Sequence, residues 1–193
     1  NEITAIPHLL RVLELAGCIV TVDAMGCQKN IAKEISEADA DYVLALKGNQ
    51  QTVYEEVKKF FTTVLAEEKK PLAQRTCPVK PQSWQHLERV EKDHGRLTIR
   101  RYWQCDDIAW FADRKQWEKL TSIGMVESIT TQGQITTTDQ RYYLNSIPLN
   151  IHTFARAVRG HWTVENQLHW TLDVSLNEDQ SRARTGHAPE NLS

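Results

Sequence analysis

No apolar stretch in this 193-residue chain approaches the roughly 18 residues that a membrane-spanning helix needs. A basic start followed by a small-residue cleavage site is also lacking, and with it the pattern of a secretory leader. The four cysteines, Cys18, Cys27, Cys77 and Cys105, are scattered with no C-x-x-C pair, which fits free thiols in a reducing cytoplasm. With a net charge of −2 and a pI near 6.4 the chain has no large, uniformly basic surface. Any DNA contact must use local clusters or a part of the protein outside this sequence. No repeat or low-complexity segment is visible. A zinc-protease H-E-x-x-H is absent too.

What is present is the composition of an ordinary soluble protein, 40% hydrophobic and 25% charged, long enough for one domain with a subdomain insertion. Asn1-Glu2-Ile3 opens without an initiator Met and HAPENLS closes without a terminal element, which suggests a segment of a longer protein.

Periodicity divides the chain into three parts. In residues 1–70, helix and strand alternate, the pattern of an α/β layer with parallel neighbouring strands. Ile6, Leu9, Leu10 and Leu13 recur at helical spacing, with Pro7 expected in a first turn and Gly17 as the terminator. Cys18 to Val22 is a short β-branched run that suits a strand buried on both faces. Ile31, Ile35 and Ala38 mark an amphipathic helix, Tyr42 to Leu46 a second buried strand, and Val53, Val57, Phe60, Phe61 and Val64 a longer helix. Pro71, Pro78 and Pro81 form a connector. Residues 71–148 read as β-rich: one hairpin turns at Asp93-His94-Gly95, another at Gln132-Gly133, and a separate last strand spans Arg141 to Ser146. Residues 149–193 begin with Asn150 at the start of a helix carrying Phe154, Val158 and Trp162.

Two carboxylates stand out. Asp23 follows the first strand, where open α/β sheets place their ligands, and could hold a hard cation such as Mg²⁺. The competing reading has it cap a helix that starts near Gly26. Glu165 lies in RGHWTVENQLHWTLD, between Trp162 and Trp170. It shares a helical face with His161 and His169, although a mid-helix glutamate is usually a solvated residue. The His161, Glu165, His169 spacing is a weak zinc signal. Arg156 and Arg159 before Glu165, Arg182 and Arg184 after it, and Lys47 beyond the second strand are the side chains suited to phosphate, against a plain reading as surface charge. Lys80, Arg100 and Arg101 read as strand-face charges, and Trp103, Trp110 and Trp117 as core.

Several ordered motifs, TVDAMGCQ, ADYVLALKGNQ, DHGR-x-x-x-RR, RYYLNSI and RGHWTVENQLHWTLDV-x-x-x-ED-x-x-R, span nearly the whole chain. Together they resemble the H-repeat-associated insertion-sequence transposases of bacteria, in the DDE class. That resemblance implies an RNase H-like core, incomplete here, with a β-rich insertion before the last catalytic helix. It also implies three acidic residues that bind two divalent metals, Mg²⁺ or Mn²⁺, for DNA cleavage and strand transfer. By resemblance Asp23 is the second of the three and Glu165 the third, with His161 and Trp162 as supporting neighbours. The first acidic residue belongs on an earlier strand, upstream of residue 1. The wider group's pattern, Y-x-x-R-x-x-x-E-x-x-x-x-x-x-K, is not kept: Val158, His161 and Leu172 stand at its tyrosine, arginine and lysine.

The leading expectation is therefore a truncated transposase core, inactive or nearly so alone. Its partners would be transposon-end and target DNA, with self-association a further option, in a bacterial cytoplasm. Two alternatives stay open. One is a metal-dependent nuclease completed by His161 or His169, and the other is a relic that binds DNA or a transposase without catalysis.

Overall fold

Helix and strand do alternate through the first third of the chain. The computed structural model describes residues 2–71, 74, 76, 79–93 and 95–163. Four α-helices, α1 (Glu2–Val12), α2 (Lys29–Glu37), α3 (Gln51–Glu68) and α4 (Ile151–Thr163), accompany six strands. The strands are β1 (Ile19–Val22), β2 (Asp41–Leu46), β3 (Trp84–Asp93), β4 (Arg96–Cys105), β5 (Ser122–Gln132) and β6 (Ile135–Asn145). They form one sheet in the order β1-β2-β6-β5-β4-β3, in which β1 and β2 are parallel and all other neighbours antiparallel. Two compact units divide the chain, Asn1–Ala157 and Val158–Ser193. The sheet and the first turns of α4 lie in the first, and Val158–Thr163 is the described part of the second.

Local chemistry accounts for these elements. In α2, Ile31, Ala32 and Ile35 form one buried stripe while Lys33 and Glu37 pair on the solvent side. In α3 the buried residues Val53, Val57, Phe61 and Val64 follow the i, i+4, i+8, i+11 spacing of one face. Phe61 lies 6.1 Å from Tyr142 of β6 and 5.7 Å from Trp84 of β3, ring to ring, so α3 packs across the antiparallel half of the sheet. Gly133 supplies a φ of +61° in the two-residue turn that joins β5 to β6. Across the meander Arg101 bonds Glu88 at 2.8 Å and Glu127 at 3.3 Å, its direct neighbours on β3 and β5.

Several expectations change. The strand that leaves the Gln132-Gly133 turn and the one expected over Arg141–Ser146 are a single β6, because the polar residues between them keep pairing with β5. Pro7 stands in the second turn of α1 rather than the first. Gly17 does not end α1, which stops at Val12. It sits instead in the turn before β1, with a φ of +73° and its N–H donated to the Asp39 carbonyl at 2.9 Å. β1 is not buried on both faces: Ile19 is 37% exposed, and Val20, Thr21 and Val22 are only half-buried. Trp103 and Trp117 are core residues, whereas Trp110 is 40% exposed and stacks on Phe60 at 4.6 Å.

The start of α4 is fixed to the sheet by a buried polar cluster. Gln104 Nε2 donates to Ser122 Oγ (2.9 Å) and to the Pro148 carbonyl (3.1 Å), while its Oε1 accepts the Asn150 N–H at 3.0 Å. Gln85 Oε1 accepts the Ile151 N–H at 2.8 Å, and Asn150 Oδ1 caps the helix by accepting from Thr153 N–H at 3.1 Å. One turn on, Phe154 is fully buried edge-on to Tyr143 and Tyr102. It rests over Gly124, where a Cβ would come within 2.3 Å of the ring.

Candidate active site

β1 ends at a turn built by its own carboxylate. Asp23 Oδ1 accepts the N–H groups of Met25 at 3.0 Å and Gly26 at 3.3 Å, the bonding of an Asx turn. The helix-cap expectation is corrected here: α2 starts at Lys29 behind Gln28, and Asp23 closes the turn that precedes it. Gly26 has no substitute in this turn, since a Cβ would lie 2.2 Å from Val22 Cγ1 and 3.0 Å from Ile6 Cδ1. The second carboxylate oxygen, Oδ2, has no partner among the described residues, and Asp23 is exposed. One oxygen is therefore engaged by the turn, and the other has no partner among the described residues. Capping a turn and presenting a ligand oxygen are compatible in this geometry.

The loop after the neighbouring parallel strand braces this turn. Lys47, Gly48 and Asn49 follow β2 and are exposed. Asn49 Nδ2 donates to the Ala24 carbonyl, and Gln50 Nε2 donates to the Cys27 carbonyl (3.1 Å) and to Gln28 Oε1 (3.3 Å). The two loops thus meet at the carboxyl ends of adjacent parallel strands, the edge where α/β sheets bind ligands. Lys47 stands at the start of the bracing loop. From sequence Lys47-Gly48-Asn49 reads only as the close of the second strand, and Gln50 has no role of its own. The available signal was a pair of carboxamides directly after a strand parallel to the one bearing Asp23.

Burial, with a smaller contribution from the Asp23 charge, pushes the Cys27 thiol up to about 12. Cys27 is therefore a neutral core group at physiological pH and neither a ligand nor a nucleophile.

Strand register defines which face of the sheet the site shares. Thr21, Val43, Asn145 and Ser122 fall in one row across four strands, and Ala45, Tyr143, Gly124, Gln104 and Gln85 in a parallel row on the same face. Phe154 packs on that face, at Gly124 and Tyr143. Alternation along β1 puts Asp23 with Ile19 and Thr21, on the side where α4 begins. Arg156 is exposed on α4. In the second unit Arg159 is exposed and His161 and Trp162 are half-buried. Glu165, His169, Trp170, Arg182 and Arg184 lie outside the described residues. Among the described residues no three His, Cys, Asp or Glu side chains form a metal-holding group. No described helix is long and apolar enough to cross a membrane.

Residues 1–192 match the transposase DDE domain. The chain belongs to the DDE transposase family. Among relatives of this transposase domain, YbfL of Escherichia coli strain K12 is 41% identical and the H repeat-associated protein YhhI of the same strain 40%. Each alignment covers 98% of this chain and 48% of the relative. YncI of Escherichia coli O157:H7 is 36% identical over the full chain and 47% of its own length. The chain thus spans about half the length of the curated relatives it matches. For a DDE transposase domain the α/β architecture is RNase H-like, and the mixed six-stranded sheet with its helices is of that class.

Proposed function

We propose that this chain forms part of the catalytic core of a DNA transposase, in which Asp23 and Glu165 are two of three acidic ligands to Mg²⁺ or Mn²⁺. The observation that carries the reading is the Asp23 carboxylate. It follows a parallel strand, is held through Oδ1, and has no partner on Oδ2 among the described residues. A single exposed carboxylate oxygen on a rigid edge suits a hard cation that takes only one or two carboxylates and keeps several waters. When bound, such an ion polarises a phosphodiester and lowers the pKa of an attacking water or 3′-hydroxyl. Lys47, Arg156 and Arg159 serve to hold DNA phosphates, with guanidinium groups suited to bidentate contact. His161 and Trp162 are supporting neighbours of Glu165 in this role.

The remaining acidic ligand comes from a strand laid against the open edge of β1. Leu9 and Val12 of α1, Leu13 just after it, Ile19 of β1 and Met25 of the Asp23 turn are exposed. They are exposed apolar side chains on and near β1, a strand with one neighbour among the described residues, and such features are commonly covered by additional chain. On this reading the segment alone does not cut or join DNA.

Mn²⁺ titration followed by NMR tests the ligand assignment. Selective broadening at residues 23–26, lost in Asp23→Asn, is expected, and equal broadening in that variant refutes it. DNA binding should weaken with added salt and with Arg156→Ala or Lys47→Ala. Nicking or strand transfer by the segment alone, abolished by Glu165→Ala, would overturn the claim that it is incomplete.

A further inference from the structure

We infer that Asn49 is a positioning residue for Asp23, acting through a single peptide plane. The Ala24 carbonyl and the Met25 N–H belong to one planar, rigid amide. Asn49 Nδ2 holds the carbonyl end of that amide, and Asp23 Oδ1 accepts from its N–H end at 3.0 Å. The chain of contacts runs from the loop after β2, through one peptide group, to the carboxylate after β1. Rotation of that peptide is the soft motion by which the carboxylate would swing. The turn's own bonds, including the Cys27 N–H donated to the same Ala24 carbonyl at 3.2 Å, hold this peptide only from within the turn. Asn49 is its donor from a neighbouring loop and ties the peptide to the chain that follows β2. It also polarises the amide, so that Met25 N–H becomes a stronger donor to Asp23.

Two further contacts mark the same device. Gln50 Nε2 holds the Cys27 carbonyl at 3.1 Å, three residues along the turn, and Gly26 packs directly on Val22 and Ile6. The turn is thereby held at both ends and in the middle, and Asp23 Oδ2 is the oxygen left without a partner among the described residues. Asn49 does not itself touch the ligand position. It sets the direction of the group that does, so the inference rests on the reading of Asp23 as a metal ligand.

The test uses the full chain, with Asn49→Ala and Asn49→Asp beside the wild type. Asn49→Asp keeps the shape and replaces the donor with an oxygen facing the Ala24 carbonyl. Amide exchange is measured by NMR at Met25 and Gly26, with Leu44 of β2 and Ile35 of α2 as references for global folding. Loss of one hydrogen bond predicts exchange at Met25 faster by about tenfold in both variants, with the reference amides unchanged. The Mn²⁺ concentration that half-broadens residues 23–26 should rise by roughly fivefold or more, since a ligand left free to swing binds less well. Unchanged exchange at Met25 overturns the inference. So does faster exchange with an unchanged Mn²⁺ midpoint, which would make the contact structural only. Should wild-type Mn²⁺ broadening miss residues 23–26 altogether, the metal reading falls and positioning of a ligand falls with it, while faster exchange at Met25 would still show that Asn49 holds the peptide.

Discussion

Gly124→Ala is the sharpest single test of how α4 is seated. A Cβ at this position would lie 2.3 Å from Phe154 Cζ, 2.7 Å from Cε2 and 3.0 Å from Cε1. Carbon atoms pack at about 3.5–4.0 Å, so the ring has to retreat by more than an ångström. It has little room to do so. Phe154 is fully buried, with Tyr143 at 5.5 Å and Tyr102 at 6.4 Å, and the helix that carries it is tied to the sheet through Gln85, Gln104 and Asn150. Overpacking of this kind costs roughly 1–3 kcal/mol. Replacing a strand glycine by alanine returns about 0.5–1 kcal/mol of backbone entropy. The net destabilisation is therefore about 1–2 kcal/mol, or a fall in Tm of roughly 4 °C for a chain of this size. Urea unfolding followed by tryptophan fluorescence measures it. The double variant Gly124→Ala/Phe154→Leu, with the ring removed, should be less destabilised than the sum of the singles by about 1 kcal/mol. A Gly124→Ala protein within 0.5 kcal/mol of wild type, or strictly additive singles, would refute the socket.

Other outcomes follow from the same contacts. Gln104→Ala strips the Asn150 N–H and the Pro148 carbonyl of their buried partner and should cost about 3 kcal/mol in urea unfolding; a loss below 1 kcal/mol would show that water replaces the amide. Iodoacetamide at pH 8 should label the exposed Cys18 and spare Cys27 until the protein unfolds, as read by peptide mass spectrometry. Equal labelling rates would mean the fold around Cys27 is open. Native Cys27 keeps its proton up to about 12, whereas the unfolded chain releases it near 9, so stability falls as pH rises through that window. Its share between pH 9 and 10 is about 1 kcal/mol, and Cys27→Ala should flatten the curve by that amount, leaving the smaller slope due to Tyr42 and Tyr142, whose phenols burial also pushes up. An identical slope in that variant removes the assignment.

Elements that bury one face were legible in the sequence. Ile31 and Ile35, or Val53, Val57, Phe61 and Val64, announce their helices because apolar spacing and burial coincide. The continuity of β6 was not legible, since Thr136 to Gln140 are exposed and their strand character comes from backbone pairing with β5, which leaves no apolar alternation. Nor was the edge position of β1, because an apolar run such as Ile19–Val22 looks the same with one neighbour or two. For Asp23 the sequence posed helix cap and ligand as rivals. A carboxylate has two oxygens, and the turn uses one. Asn49 was invisible because its partner is a main-chain carbonyl 25 residues away. The part of the site assigned to Glu165 and its neighbours rests on motif likeness.

The pairing of β2 with β6 sets a timing problem for synthesis. Val43 and Asn145 are direct neighbours across the sheet yet about a hundred residues apart along the chain. The β3–β4 and β5–β6 turns join adjacent strands and close early, but β2 waits for its partner until the last strand has been made. At roughly 5–20 residues per second, the wait is about 5–20 s. Through that interval Tyr42-Val43-Leu44-Ala45-Leu46, entirely apolar, has an open flank on the ribosome-bound chain. Expression yield should accordingly depend more on whatever shields this segment during translation than on the stability of the finished sheet.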